Sequence, residues 1–378
     1  MPPSLDRIAL LGPAPPDRGG IAHETARLAF ELGRRIAVDY FTFSRPYPRW
    51  LDPRRCGRDP GLPPSRAIPM LDYLSPGSWK RVAETVAASG AGALLVPWWT
   101  SFWALPIRAL FRRLAAAGPG ALRVLLCHNI EDHETGPVKR FLTVGAFSAA
   151  SAFVVHSEED RRELERRVPG RPAEAIPLPV PDQPAVSRDS ARRRLGVEGP
   201  LVLFLGLVRA YKGVDVLLDA APEIVRGSGA RIAIVGEVFP DSRDLTRRRE
   251  ASPVAERILW KDEYVPEEEM ALWLAACDVV ALPYRRISAS AIAARAVAAR
   301  RPIAASAAGG LREAVVPGVT GELFEPGDAA GLARAVKRIL ERGSESYRPG
   351  LDAAARAASW QNYADRILQF LSSLRAES

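Results

Sequence analysis

The chain has 378 residues, 47% apolar and 25% charged, which excludes a disordered chain and exceeds what one ordinary hydrophobic core encloses. No run approaches the ~20 apolar residues of a membrane span. Cys56, Cys127 and Cys277 are odd in number and far apart, which argues against a disulfide framework or a zinc cluster and for a reducing compartment. The net charge of +8 rests on Arg, with only five Lys, and favours anionic partners such as nucleotide phosphates. Zinc-finger spacing and a basic helix joined to heptads are both missing, so nucleic acid is not an expected partner. The start Met-Pro-Pro-Ser-Leu-Asp lacks the features of a secretory leader, and the expected location is the cytoplasm.

Strand and helix signatures alternate along almost the whole chain. Strands are expected at Arg7–Leu11, Val38–Phe43, Ala93–Val96, Arg123–Cys127 and Ala152–Val155. Between them, helices are expected over Ile21–Arg34, Ser78–Ala88, Leu105–Ala116, Val138–Ala149 and Glu158–Arg167, the last with Ser157 as N-cap and a carboxylate-rich first turn. Tyr47–Ser75, crowded with Pro and Arg and without a period, reads as a long loop. Pro177, Pro179, Pro181 and Pro184 mark a linker after Ile176.

Alternation then restarts with strands Leu201–Leu205, Arg231–Val235, Ile258–Trp260, Val279–Leu282 and Ile303–Ala305. The accompanying helices are Val214–Arg226, Leu245–Glu250, Glu267–Ala276, Ala289–Ala299 and Gly331–Arg342. A final helix from about Ala353 carries Trp360, Tyr363, Ile367, Leu368 and Leu371 on one face. The pattern predicts an α/β protein of two Rossmann-like domains, residues 1–180 and 185–352, with parallel sheets and a cleft between them, followed by a terminal helical segment, 353–378.

Open α/β sheets bind ligands beyond the carboxyl ends of their strands, so the residues there are the candidates. The most informative stretch runs from Leu201 through Gly206, Arg209, Lys212 and Gly213 into a helix striped by Val214, Leu217 and Leu218. Two cations and the N–H groups of a helix start converge there, which predicts an anion site. In the first half, Gly12-Pro-Ala-Pro-Pro-Asp-Arg-Gly-Gly-Ile-Ala-His23 puts Arg18, Gly19, Gly20 and His23 in a loop suited to a phosphate or an acceptor.

His128 and His156 each follow a strand directly, where a neutral imidazole can donate to a sugar hydroxyl or a phosphate. The Trp98–Trp103 stretch supplies either a wall for a sugar ring or lipid tail, or satellite core. His128 and His133 with nearby carboxylates lack a third ligand at metal spacing, so no metal is expected. Glu237 follows a strand, Ser290 stands at a helix start, and Gly309 and Gly310 bring backbone towards a ligand.

The ordered set Gly206-Leu-Val-Arg-Ala-Tyr-Lys-Gly213, Ala276-Cys-Asp-Val-Val-Ala-Leu-Pro-Tyr284, Gly309-Gly-Leu-Arg-Glu-Ala-Val315 and Pro317-Gly-Val-Thr-Gly-Glu-Leu323 resembles the group 1 (family 4) glycosyltransferases. The likeness extends to Arg18-Gly-Gly-Ile21, His128-Asn-Ile130, His156-Ser-Glu-Glu-Asp160 and Ser359-Trp360, and so covers most of the chain. It implies a GT-B architecture whose second domain holds the nucleotide-sugar donor, whose first holds the acceptor, and whose last helix crosses back to the first. It also implies retention of anomeric configuration, with no cofactor and no divalent metal.

Carried over by position, Arg209 and Lys212 neutralise the donor diphosphate and His128 contacts the transferred sugar. Gly206, Glu237, Tyr284, Ser290, Gly309, Gly310, Leu311 and Glu313 complete the donor side, and Arg18, Gly19, Gly20, His23, Trp99 and His156 the acceptor side. The family's two glutamates, eight positions apart, fall on Ile287 and Arg295.

The resemblance thus implies transfer to a saccharide or lipid-linked acceptor in cell-envelope or exopolysaccharide biosynthesis. A catalytically inactive nucleotide- or glycan-binding relative and a nucleotide-sugar epimerase remain open alternatives. A nicotinamide-dependent oxidoreductase is disfavoured by the missing Gly-x-Gly-x-x-Gly pattern. In helix Leu105–Ala116, Arg108, Arg112 and Arg113 flank Leu110, Phe111 and Leu114, which suits either peripheral contact at the inner membrane face or packing into the first domain.

Overall fold

The computed structural model describes residues 5–17, 20–46, 66–117, 120–130, 136–182 and 186–376. They form two units, Met1–Pro177 with Trp360–Ser378, and Leu178–Ser359.

In the first unit the strands are β1 (Arg7–Leu11), β2 (Ala37–Arg45), β3 (Ile68–Asp72), β4 (Ala93–Trp98), β5 (Leu122–Cys127), β6 (Ala152–Val155) and β7 (Ala173–Ala175). They make one parallel sheet in the order β3-β2-β1-β4-β5-β6-β7. Apolar runs such as Ala-Leu-Leu-Val-Pro-Trp in β4 are buried along their whole length, as strands covered on both faces require. Side-chain alternation splits β1 between the two layers. Ala9 and Leu11 meet α2 (Pro76–Ala88), α3 (Ala104–Ala117) and α4 (Pro137–Phe147), while Ile8 and Leu10 meet α1 (Gly20–Gly33) and the terminal helix. Helix α5 (Glu158–Arg167) starts at Ser157, whose Oγ accepts from the Asp160 N–H.

The second unit opens with α6 (Arg188–Leu195) and builds a parallel sheet from β8 (Leu201–Leu205), β9 (Arg231–Val235), β10 (Ile258–Lys261), β11 (Val279–Leu282), β12 (Ile303–Ser306) and β13 (Gly321–Phe324). The order is β10-β9-β8-β11-β12-β13. Around it lie α7 (Val214–Ser228), α8 (Asp244–Glu250), α9 (Glu267–Ala276), α10 (Ala291–Ala298), α11 (Leu311–Ala314), α12 (Ala329–Arg342) and α13 (Arg348–Ala357). Both sheets reverse their direction of growth beside their first strand, between β1 and β4 and between β8 and β11. Crevices for ligands form at such reversals.

Several expectations are corrected. The terminal helix expected from Ala353 is two helices, α13 in the second unit and α14 (Trp360–Ala376), which closes the first unit's sheet with Trp360, Tyr363, Ile367 and Leu371. The chain crosses between units at Pro177–Leu178 and again at Ser359–Trp360.

Within the expected loop Tyr47–Ser75, Ile68–Asp72 forms edge strand β3, where Pro69 is tolerated; residues 47–65 lie outside the described residues. Strands β7 and β13 and the Arg-rich α6 were also unforeseen, being short and without an apolar period. In α3, Leu110, Phe111 and Leu114 are fully buried, so this stripe packs inward and is unavailable to a bilayer. Among the described residues no helix is long and apolar enough to cross a membrane.

Candidate functional site in the turns after β8, β9 and β11

The turn after β8 is built at the reversal of the second sheet. Gly206 takes φ 104°, and a Cβ there would lie 3.5 Å from Lys212 Nζ and from the Ile292 side chain of α10. Gly213, at φ 65°, lies so close to the turn after β11 that a Cβ would fall 1.9 Å from the Pro283 carbonyl oxygen. The two turns are also tied by polar contacts. Arg285 N–H donates to the Tyr211 carbonyl at 2.8 Å, and the Arg285 guanidinium grips Asp215 with bonds of 2.8 and 2.5 Å. This brings together Gly206, Lys212, Tyr284 and Ser290 from the expected donor set.

Lys212 is the unusual charge. Its Nζ lies 5.6 Å from the centroid of the buried Tyr284 ring. Burial, then the neighbouring Arg209, pushes its ammonium down from 10.5 to about 8. Among the described residues, no carboxylate acts on it. The Tyr284 hydroxyl is buried and, among the described residues, without a hydrogen-bond partner, and Ser290 Oγ caps α10 by accepting from the Ala293 N–H at 3.2 Å. Burial raises the Tyr284 phenol, so it stays neutral.

Arg209 differs from expectation. Its Nε donates to Asp241 Oδ2 at 2.9 Å, and its guanidinium stacks 4.6 Å from the Phe239 ring centroid. The pair is formally neutral, and among the described residues Lys212 is the cation of the turn on which no carboxylate acts. The N-terminus of α7, read from sequence as a source of free N–H groups, is covered by Asp215. That carboxylate is held low chiefly by Arg285, and also takes up its own N–H and that of Val216. Beside this turn, Tyr211, Asp215, Asp241, Arg248, Arg285 and Arg286 line a cavity of about 540 Å³.

The remaining donor-side residues divide. Gly309, at φ 50°, is needed because a Cβ would meet the Ile287 carbonyl oxygen at 1.8 Å. The Gly310 N–H donates to that same oxygen at 3.2 Å. Leu311 is wholly buried in the core and its N–H donates to the Ala308 carbonyl. Glu313 is exposed. Glu237 is half-buried and its carbonyl accepts from the Val208 N–H. Arg295, where the resemblance implies a glutamate, bonds Glu267 at the start of α9 at 2.8 Å. Sequence reasoning missed Asp215, Asp241, Glu267, Arg285 and Ile292, since none of these partners shares a local motif with the residue it holds.

In the first unit, His128 and His156 stand side by side, ring centroids 5.1 Å apart, at the carboxyl ends of β5 and β6. Burial drives both below their ordinary value, His128 to about 3 and His156 to about 4, so both are neutral. His156 is buried rather than open to a ligand. Its Nδ1 donates to the Ile176 carbonyl at 3.1 Å, leaving Nε2 buried and without a partner, and Tyr363 of α14 packs beside the ring. His128 keeps a little exposure, and its Nδ1 lies 3.5 Å from Glu24 of α1, a neighbour the sequence did not flag.

His23 is half-buried. Gly20 is exposed at the start of α1 with nothing within 4 Å of a Cβ, so no protein neighbour demands glycine there. Arg18, Gly19, Cys56 and His133 lie outside the described residues. The aromatic stretch is core: Trp98 and Trp103 are buried, and Trp99 packs edge-on to Phe43 while keeping partial exposure. Among the described residues, no group of three His, Cys, Asp or Glu side chains is arranged to hold a metal ion.

Residues 199–342, which contain all the second-unit turns, match the family model for glycosyl transferases group 1. The D-inositol 3-phosphate glycosyltransferase of Frankia alni is 30% identical over 316 residues, covering 78% of this chain and 74% of that protein. The protein of the same name from Xylanimonas cellulosilytica is 34% identical over 233 residues, covering 56% of this chain and 53% of that protein. The chain spans about half the length of most curated relatives it matches.

Among solved structures, the sucrose-phosphate synthase of Thermosynechococcus elongatus superposes with a TM-score of 0.73 at 20% identity, covering 98% of this chain and 100% of that one. HepE of Anabaena in complex with UDP gives 0.74 at 17% identity, covering 97% and 100%. At such identities the likeness concerns the fold, two parallel-sheet α/β domains of GT-B type.

Proposed function

Because the chain belongs to the group 1 glycosyltransferases, we propose that it transfers a sugar from a nucleoside-diphosphate sugar to a hydroxyl acceptor in the cytoplasm. The reading rests on Lys212, a half-buried lysine whose ammonium is desolvated and, among the described residues, has no carboxylate acting on it, at the reversal of the second sheet. Departure of a nucleoside diphosphate builds negative charge on its phosphate. A cation already desolvated and held in position stabilises that charge without reorganising when the bond breaks. Arg209, fixed by Asp241 and Phe239, borders the same turn and assists as a planar donor. In this reading side-chain cations neutralise the leaving group in place of a divalent metal, and the sugar is transferred with retention.

His128 is neutral at working pH and acts on the sugar as a hydrogen-bonding group, not as a proton source. The acceptor class is a saccharide or lipid-linked glycan of cell-envelope or exopolysaccharide assembly. An inositol phosphate is a second candidate, because curated relatives carry that acceptor in their name.

One observation favours a second reading, binding without turnover: Arg295, at the position where the family resemblance implies a glutamate, is a cation engaged with Glu267. A panel of nucleoside-diphosphate sugars, assayed for binding, hydrolysis and transfer to both acceptor classes, separates the two. Transfer that collapses in Lys212→Met supports the enzyme. Tight nucleotide binding with no consumption of any donor supports the second reading, and absence of both binding and turnover overturns the donor site itself. Donor isomerised without any acceptor identifies an epimerase.

A further inference from the structure

At the amino edge of the second sheet, away from the strand ends that carry Lys212, four arginines surround a cavity of about 450 Å³. Arg188 comes from the start of α6, Arg300 and Arg301 from the segment before β12, and Arg348 from the start of α13. Glu345 and Asp352 line the same cavity.

Two features set this cluster apart from an ordinary charged surface. Arg301 is only 8% exposed, and both of its hydrogen bonds go to carbonyls, Nε to Leu274 and Nη2 to Ala275, rather than to a carboxylate. Burial, and after it the neighbouring Arg188, disfavour its charged form more than Cys277, Asp278 and Glu345 favour it, so the guanidinium gains from an added anion.

Arg300 is the second feature. It adopts φ 57°, and among the described residues no other non-glycine has a positive φ. It occupies the left-handed position that ends α10, with the Arg300 N–H bonded to the Val297 carbonyl and the Arg301 N–H to that of Ala296. Glycine is the favoured residue there, so an arginine is retained against backbone preference. Its conformation turns the side chain to Asp352, 2.7 Å away, on the wall of the cavity. The pair Arg348 with Glu345 is well exposed and worth little, whereas Arg188 bonds the half-buried Asp278 and the Cys277 carbonyl and adds its charge to the cavity wall.

We propose that this cavity binds a small hydroxylated phosphate monoester, its dianion held by Arg300, Arg301, Arg188 and Arg348. Guanidiniums pair with phosphate oxygens in bidentate geometry. Glu345 and Asp352, which accept but cannot donate when ionised, take the hydroxyl groups. The site is separate from the donor turns, since Arg300 and Arg301 lead into the amino end of β12 whereas Lys212 follows the carboxyl end of β8.

The test is calorimetry and thermal unfolding of the full chain with inorganic phosphate and with glucose 6-phosphate, against chloride at equal ionic strength. The expected result is saturable stabilisation by both, tighter for the sugar phosphate and unchanged in Lys212→Met. Arg300→Gly should raise the melting temperature without ligand, by relieving the left-handed backbone. It should nevertheless weaken phosphate binding about tenfold, as should Arg348→Ala on the exposed rim. Phosphate affinity unchanged in both variants, or binding abolished by Lys212→Met, overturns the proposal. So does a wild-type protein that phosphate stabilises no more than chloride does.

Discussion

Replacing Lys212 with Met keeps a flexible stem of similar volume and deletes the ammonium. In the folded chain that ammonium titrates near 8 instead of 10.5, chiefly because burial strips its water. At ~1.4 kcal/mol per pH unit, holding it charged below pH 8 costs roughly 3 kcal/mol, and nearer 2 once residual solvent access is allowed for. The variant should therefore be more stable than wild type at pH 7 by ~2 kcal/mol, a melting temperature several degrees higher. Between about pH 8 and 10.5 the unfolded chain holds a proton that the fold does not, so wild-type stability rises relative to the variant across that window. The advantage of Lys212→Met is complete below pH 8 and gone above 10.5.

The same substitution should weaken nucleoside diphosphate binding by at least tenfold, because the phosphate loses a desolvated partner. In wild type, binding near pH 9 should be accompanied by proton uptake, measurable by calorimetry in buffers of different ionisation enthalpy. Equal stability of the two proteins at pH 7, or undiminished nucleotide affinity in the variant, would refute the argument that this lysine is a cation stored for an anion.

Acid sensitivity should come from the histidine pair. His128 and His156 titrate near 3 and 4 in the fold against 6.5 unfolded, so below pH 6.5 only the unfolded chain takes up their protons. Each then removes about 2 kcal/mol of stability by pH 5, and melting curves from pH 7 to 5 should flatten in His128→Gln/His156→Gln. Restoring the family's acidic residue with Arg295→Glu should destabilise the second unit, because Glu267 would face a like charge. The reversal Glu267→Arg/Arg295→Glu should recover about 0.5–1 kcal/mol in a denaturant double-mutant cycle. Gly309→Ala should cost more than ~3 kcal/mol in urea unfolding, its Cβ falling 1.8 Å from the Ile287 oxygen. Gly20→Ala, with open space at the Cβ, should stay within ~0.5 kcal/mol.

From sequence alone, the alternation of buried parallel strands and helices was legible in both halves, because runs such as Leu201–Leu205 and Ala93–Val96 have no stable place except inside a covered sheet. So was the convergence of Gly206, Lys212, Tyr284 and Ser290, since each lies in the turn that follows its strand, β8 or β11, and strand ends share an edge. Edge strands β3, β7 and β13 escaped because an edge is half-solvated and tolerates Pro, Glu and Gly, which blurs the period-2 signal. The break between α13 and α14 escaped because helical spacing continues across it, and only the partition of the chain into two units shows which sheet Trp360 serves.

What tertiary structure alone decided is the electrostatic state of each candidate. Asp241 neutralises Arg209 from 32 residues away, Arg285 pins Asp215 across 70, and Glu267 occupies Arg295, while Lys212 keeps its charge without a carboxylate. Periodicity and motif spacing report on neighbours along the chain. Charge compensation and burial depend on which strands lie side by side and in what register, and sheet order sets both.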